Sequence, residues 1–347
     1  MLDIRITIIN PITFPGWDEL LLGNPNYSFF HSSGWARVLY ESYKYKPLYF
    51  ALIENGELSA LIPVMEVKSF LTGRRGICLP FTDHCPIIVS DESRFQKILN
   101  HIIDYGKKAD WKYLELRDGR NSIRDMTSSM IYYTHSLALT QNEHELLSTF
   151  RNSTKRNIKK AIREGVSVDI YNSLESIKAF YQLNCMTRKH HGLPPQPFIF
   201  FKRVFEHLIS RGHGFVVLAS FAQEVIAGAV FFHFGKKAVF KYGASDRKYH
   251  HLRPNNLVMW EGIKWYAEKG FRSLNLGRTM PSNTGLTQFK RGWGAKERII
   301  MYHKYDFRRD LFVSEHSKLK SFHNRLFNIS PIIVARFVGS ILYKHIG

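Results

Sequence analysis

Lys237-Ala238-Val239-Phe240-Lys241-Tyr242-Gly243-Ala244-Ser245-Asp246 leads into Arg247-Lys248-Tyr249-His250-His251-Leu252-Arg253-Pro254-Asn255-Asn256. The first ten residues read as a β-strand running into a polar loop. Pro254 suits the first position of a helix, where a missing N–H costs little. Gly270 suits that helix's end. A run of cations and histidines therefore precedes a helix N-terminus, whose unpaired N–H groups favour anions. A further strand, 273–277, ends in Arg278, and a short helix near 284–291 follows it. Lys290 lies one helical turn from Trp293, between glycines that permit close backbone approach.

Working outward, the pattern is strands mixed with amphipathic helices. Strands are predicted at 166–170, 215–221, 225–234 and 297–306, with helices at 152–164, 173–190 and 198–211. In the first half, strands at 4–9, 48–53, 58–67, 112–116 and 131–139 alternate with helices at 34–42 and 93–108. The Asn55-Gly56 pair between two β-rich runs signals a tight hairpin. Hairpin-linked strands in both halves favour mixed α/β layers over a doubly wound parallel sheet. At 347 residues the chain suits two domains. The expected divisions are 1–145, 146–310 and a helical tail at 311–347.

Charge separates the halves. Residues 1–150 carry 15 basic and 17 acidic side chains, and residues 151–347 carry 34 and 12. The second half should therefore meet something anionic: a phosphorylated small molecule, an RNA or a charged membrane face. The densest cluster is Arg151-Asn152-Ser153-Thr154-Lys155-Arg156-Asn157-Ile158-Lys159-Lys160-Ala161-Ile162-Arg163. Arg151, Lys155 and Lys159 are four apart and share one helix face. Arg156, Lys160 and Arg163 form the next row, opposite an apolar stripe.

Other chemistries find little support. Cys78, Cys85 and Cys185 are too few for a disulfide framework and contain no Cys-x-x-Cys pair. His190-His191 and His250-His251 have no third ligand at zinc-like spacing, so no metal is expected. No Gly-x-Ser-x-Gly elbow is present. Trp260 and Trp265 read as core. The alternation of Ile4, Ile6 and Ile8 reads as a strand, not a leader, and no run reaches the ~20 apolar residues a bilayer span needs. The expected location is cytoplasmic.

Arg151–Gly165, Tyr242–Asp246, Pro254-Asn255-Asn256, Leu276-Gly277-Arg278 and Phe289-Lys290-x-x-Trp293-Gly294 together resemble the Fem-type branch of the GNAT acyltransferase superfamily. That branch includes peptidoglycan bridge-forming aminoacyltransferases and BioF2-like acetyltransferase domains. The resemblance spans about 150–306. It implies an α/β (mixed α+β) fold of two tandem GNAT-like lobes, each a mostly antiparallel mixed sheet flanked by helices. It further implies two strands, 237–243 and 273–277, that splay apart beside an acyl-binding cleft. An amine attacks an activated carbonyl there, and the protein orients the amine, takes its proton and stabilises the oxyanion.

On this resemblance Tyr242, Asp246 and Lys290 are the expected catalytic residues, with His250 a further proton handler. Arg247, Arg253, Asn255, Asn256 and Arg278 are expected to hold the co-substrate, and Arg151, Lys155, Arg156, Lys159 and Trp293 the substrate. The leading expectation is N-acyl transfer from acyl-CoA to an amine of a cell-envelope or polysaccharide precursor. The alternatives are aminoacyl transfer from a tRNA to a peptidoglycan precursor, and a non-catalytic anion binder. The family's Arg/Gln-x-x-Gly-x-Gly/Ala loop has no counterpart here, because residues 247–254 contain no glycine. The apolar segment 331–347, with Arg336, Ser340 and Lys344 four apart, and the basic residues Lys318, Lys320 and Arg325 before it, suit a membrane interface or packing on protein.

Overall fold

Asn55 and Gly56 both adopt positive φ (52° and 80°), as a two-residue hairpin turn requires. They join β2 (Lys46–Glu54) to β3 (Glu57–Ser69) in antiparallel register. The computed structural model describes residues 6–118, 126–314 and 331–346. Two positions of the predicted first strand, residues 4 and 5, lie outside these, as do Lys318, Lys320 and Arg325.

The chain forms two units. Of the described residues, the first comprises 6–118, 126–133, 299–314 and 342–346. It begins with β1 (Thr7–Ile9), α1 (Trp17–Leu22) and α2 (Ser33–Tyr43), and continues past β3 with β4 (Gly73–Ile77), α3 (Glu92–Lys108) and β5 (Tyr113–Asp118). Asp91 caps α3 by accepting from the Arg94 amide, and Phe95, Ile98, Leu99 and Ile102 bury its apolar stripe. The strand order is β1-β2-β3-β4-β5, then β12 (Lys296–Asp306), whose edge takes the short β13 (Leu311–Val313). All these pairs are antiparallel except β4 with β5.

Of the described residues, the second unit comprises 134–298 and 331–341. After β6 (Met130–Ala138) come α4 (Glu143–Ser148), α5 (Asn152–Arg163), β7 (Ser167–Tyr171), α6 (Leu174–His190) and α7 (Phe198–His207). Then follow β8 (Gly214–Phe221), β9 (Glu224–Phe234), β10 (Lys237–Ser245), α8 (Pro254–Glu268), β11 (Ser273–Thr279) and α9 (Thr284–Arg291). The C-terminal helix is α10 (Ile332–Ile346). The strand order is β6-β11-β10-β9-β8-β7, antiparallel from β7 through β10 and parallel between β10 and β11.

Helix α8 covers the sheet with Leu257, Trp260, Ile263 and Tyr266, which meet Phe215, Phe231 and Leu274 in one buried cluster. Gly262 permits this approach: a Cβ there would sit 2.4 Å from the Phe231 ring. Trp260 thus belongs to the core, as expected. The chain crosses between units within strands, since Met130–Tyr133 and Thr134–Ala138 of β6 fall in different units and β12 divides after Arg298. Among the described residues no helix is long and apolar enough to cross a membrane.

Candidate active site

The fork. Parallel pairing of β10 with β11 lasts three residues: Lys237 with Ser273, Ala238 with Leu274, and Val239 with Asn275. Beyond Val239 the strands have no further pairs, and β10 carries a bulge between Phe240 and Tyr242. The divergence expected from the motif set is therefore present. Just past the last pair, the Gly277 amide donates to Asn275 Oδ1 at 2.8 Å. Lys290 Nζ donates to the Gly277 carbonyl at 2.8 Å and to the Arg278 carbonyl at 3.0 Å. Lys290 is only 3% exposed, so its charge is carried by backbone dipoles within the protein.

The cavity. At the carboxyl end of β10 lies a cavity of about 280 Å³. Helix α6 and its C-cap supply Met186, Thr187, His190 and His191 to its wall, and β10 with the following loop supplies Ser245, Asp246, Arg247 and His250. Thr187 fixes the two walls together: its hydroxyl donates to the Ser245 carbonyl at 3.2 Å and accepts from the Ser245 amide at 3.1 Å. Asn255 Nδ2 donates to Ser245 Oγ at 3.0 Å, and Ser245 Oγ lies 2.8 Å from His250 Nε2. In the tautomer with the ring proton on Nδ1, His250 Nε2 accepts the serine proton while Ser245 Oγ accepts from Asn255. Burial, then the Arg247 charge, holds His250 below the ordinary histidine range. Burial, then His190, does the same for His191. Both rings are thus neutral near pH 7 and able to accept a proton.

The loop before α8. Residues Arg247–Leu252 form a 3-10 helix. Asp246 caps it by accepting from the Lys248 amide at 2.9 Å, and the Asp246 carbonyl accepts from the Tyr249 amide. The Arg253 amide donates to the His250 carbonyl and the Asn256 amide to the Arg253 carbonyl. Pro254 has no N–H. Arg253 itself adopts φ 62°, a left-handed conformation that glycine enters more readily. Four amides of this loop are committed within the protein, while the Arg247 and Arg253 side chains are exposed.

The other expected residues lie as follows. The Tyr242 ring is half-buried, 5.5 Å from Phe201, with Lys241 over its face. Asn256 is buried in the first turn of α8, and Arg278 is half-buried at the end of β11. Helix α5 buries Ile158 and Ala161 and exposes Arg151, Arg156 and Lys159, with Lys155 half-buried. The Arg151 amide and the Thr154 hydroxyl both donate to the Gly292 carbonyl, which ties α5 to the end of α9. One expectation is corrected. Trp293 is fully buried, edge-on to Phe150 (5.1 Å) and Phe289 (5.9 Å), so it fills the core and cannot meet a substrate. Sequence reasoning missed Thr187, His190, His191 and Ser245. No local pattern marks the first three, which come from a helix about sixty residues before β10 ends.

Strands β10 and β11 thus part after Val239, and a polar cavity lined by Thr187, His191, Ser245, Arg247 and His250 lies at the carboxyl end of β10. Residues 148–291 match the family described as "Acetyltransferase (GNAT) domain". FemX superposes with a TM-score of 0.66 at 15% identity, covering 82% of this chain and 94% of that one. A tandem GNAT protein from the clavulanic acid biosynthesis pathway gives 0.56 at 9% identity, with 88% and 99% covered. L-PGS from Bacillus licheniformis gives 0.52 at 12% identity, with 94% and 97% covered. No curated protein sequence matches. Residues 148–291 are thus a GNAT acetyltransferase domain, and the chain has a fold similar to that of FemX and of a tandem GNAT protein.

Proposed function

We propose that the protein transfers an aminoacyl group from a tRNA ester to an amine of a cell-envelope precursor. The carrying observation is the loop before α8. Its amides at Lys248, Tyr249, Arg253 and Asn256 are already bonded and Pro254 has none, which disfavours a backbone cradle for the pyrophosphate of a CoA thioester. A carrier held by side chains fits better, and the exposed cations of α5 form an array suited to an RNA backbone. Two fold neighbours support the reading: FemX, and a structure named for a putative lysylphosphatidylglycerol synthetase of Agrobacterium fabrum, by its name a maker of an aminoacylated lipid. Acyl-CoA is the second reading, favoured by the match to an acetyltransferase family.

In this reading the acceptor amine enters the cavity and gives its proton to Ser245 Oγ as the serine proton passes to His250 Nε2. The amine nitrogen bonds to the ester carbonyl carbon. The bond from that carbon to the ribose oxygen breaks, and the proton held on His250 returns through Ser245 to the leaving oxygen. Asp246 keeps the loop in place by capping it, and Asn255 holds the serine hydroxyl toward the imidazole.

The test offers purified protein an amine-bearing envelope precursor with either radiolabelled aminoacyl-tRNA or radiolabelled acetyl-CoA. Label should move from the charged tRNA, less so at raised salt. Arg156→Glu/Lys159→Glu should raise the KM for tRNA with little change in kcat. Label moving from acetyl-CoA without RNA would overturn the assignment of the donor.

A further inference from the structure

The β3–β4 turn of the first unit holds two large apolar side chains out in solvent. Phe70 is 84% exposed and Leu71 56% exposed. Such exposure costs a folded chain stability and solubility, and its turn is not a loose one. The Ser69 hydroxyl accepts from the amides of both Leu71 (3.1 Å) and Thr72 (3.0 Å). The same hydroxyl lies 2.9 Å from His345 Nδ1 in the last turn of α10. Thr72 Oγ1 and the Arg75 guanidinium both donate to the His345 carbonyl, and the Phe70 ring meets the His345 imidazole edge-on at 4.8 Å. Tyr45 secures that helix end again by donating to the Tyr343 carbonyl at 2.8 Å.

The tip is thus an apolar projection whose Leu71 and Thr72 amides are already satisfied. That matters where water is scarce, because an unpaired amide carried into a low-dielectric boundary costs several kcal/mol. Cations border it: Lys68, Arg74 and Lys344 are exposed, and Ile346 beside them is 52% exposed. Helix α10 shows the same chemistry along its own length. Ile333, Val334, Phe337 and Ile341 are exposed on one face, with Arg336 and Lys344 at the margins. Apolar side chains fringed by cations complement an anionic lipid surface, where the apolar groups enter the acyl boundary and the cations meet headgroup phosphates.

We infer that the Phe70–Leu71 turn, with the last turn of α10, is an insertion point for an anionic bilayer surface. The inference does not rest on the identity of the acyl donor, and its test needs no substrate. Full-length protein is sedimented with vesicles of phosphatidylcholine alone or of phosphatidylcholine mixed with phosphatidylglycerol. It should pellet with the mixed vesicles, and less as salt rises. Phe70→Ser/Leu71→Ser should lower the partition coefficient roughly 10- to 100-fold. Arg74→Gln/Lys344→Gln should lower it by about 10-fold or more on the anionic vesicles and little on the neutral ones. Both pairs are exposed, so the urea midpoint should stay within error of the wild type and report intact folding. The inference fails if the wild type stays in the supernatant with mixed vesicles, or if the Ser/Ser variant pellets as the wild type does. It also fails if the Ser/Ser variant abolishes a concentration-dependent self-association while vesicle binding is absent throughout, since the tip would then be a contact between copies.

Discussion

Replacing Lys290 by Met separates a chemical role from a structural one. The ammonium is 3% exposed and donates to the Gly277 and Arg278 carbonyls at 2.8 and 3.0 Å. Methionine keeps most of the volume and adds apolar burial, but leaves both carbonyls without that donor. A hydrogen bond to a charged group contributes about 1.5–3 kcal/mol, and a buried acceptor left unpaired costs about 1–3 kcal/mol. Removing the buried charge offsets part of this, so a net loss of about 2–4 kcal/mol is expected. For a unit of this size that corresponds to a fall in Tm of roughly 5–15 °C. The assay is urea unfolding followed by tryptophan fluorescence, with initial rates measured at a temperature where the variant is still folded. Lys290→Met should shift the midpoint strongly and keep much of the per-molecule rate. An unchanged midpoint with activity abolished would refute the argument and return Lys290 to the chemistry.

Two further outcomes follow from titratable groups. His250→Gln keeps a hydrogen-bonding group beside Ser245 but removes the proton acceptor, so kcat should fall roughly 10²- to 10⁴-fold with KM nearly unchanged. The wild-type rate should rise with pH below the ordinary histidine range and then level off, because burial and Arg247 favour the neutral ring; the variant's profile should lose that rise. His233 is held down to about 4 by burial, with its ring between the Gly212 carbonyl and the Tyr266 hydroxyl. Its neutral form is favoured in the folded state, so the unfolded chain binds the extra proton between pH 6.5 and 4, and stability falls as pH drops through that window. The loss by pH 4 should be on the order of 3 kcal/mol, measured as the urea midpoint at a series of pH values, and His233→Phe should blunt it.

The elements were legible wherever local chemistry dictates them. Asn55-Gly56 allows two positive-φ residues in succession, Pro254 opens α8, and the spacing of Phe95, Ile98, Leu99 and Ile102 marks the buried face of α3. The fork was legible because its motifs lie within one strand–loop–helix–strand stretch. The cavity was not. Its α6 wall is joined to β10 by Thr187, and nothing in the run Met186-Thr187-Arg188-Lys189-His190-His191 distinguishes a cavity wall from a solvated helix end. His190 and His191 were weighed only as metal ligands, whereas both line the cavity wall. Trp293 misled for the opposite reason. Its glycine neighbours suggest access to the backbone, but the indole packs inward against Phe150. The predicted helix 198–211 also divides, because after α7 ends at His207 a 3-10 turn carries Ile209–Arg211 to Gly212.

The chain passes between its two units in the middle of β6 and again within β12, and this bears on the order of events during synthesis. The first unit takes its β12 pairing, Met301–Asp306 against Tyr113–Asp118, from residues translated almost two hundred positions later. Its hairpin tip waits longer still, for His345. An emerging polypeptide therefore holds the β5 edge open while residues 134–298 of the other unit leave the ribosome. Neither lobe can be excised by a single cut, and a gene truncated before residue 299 should yield an aggregating fragment, not a half-enzyme.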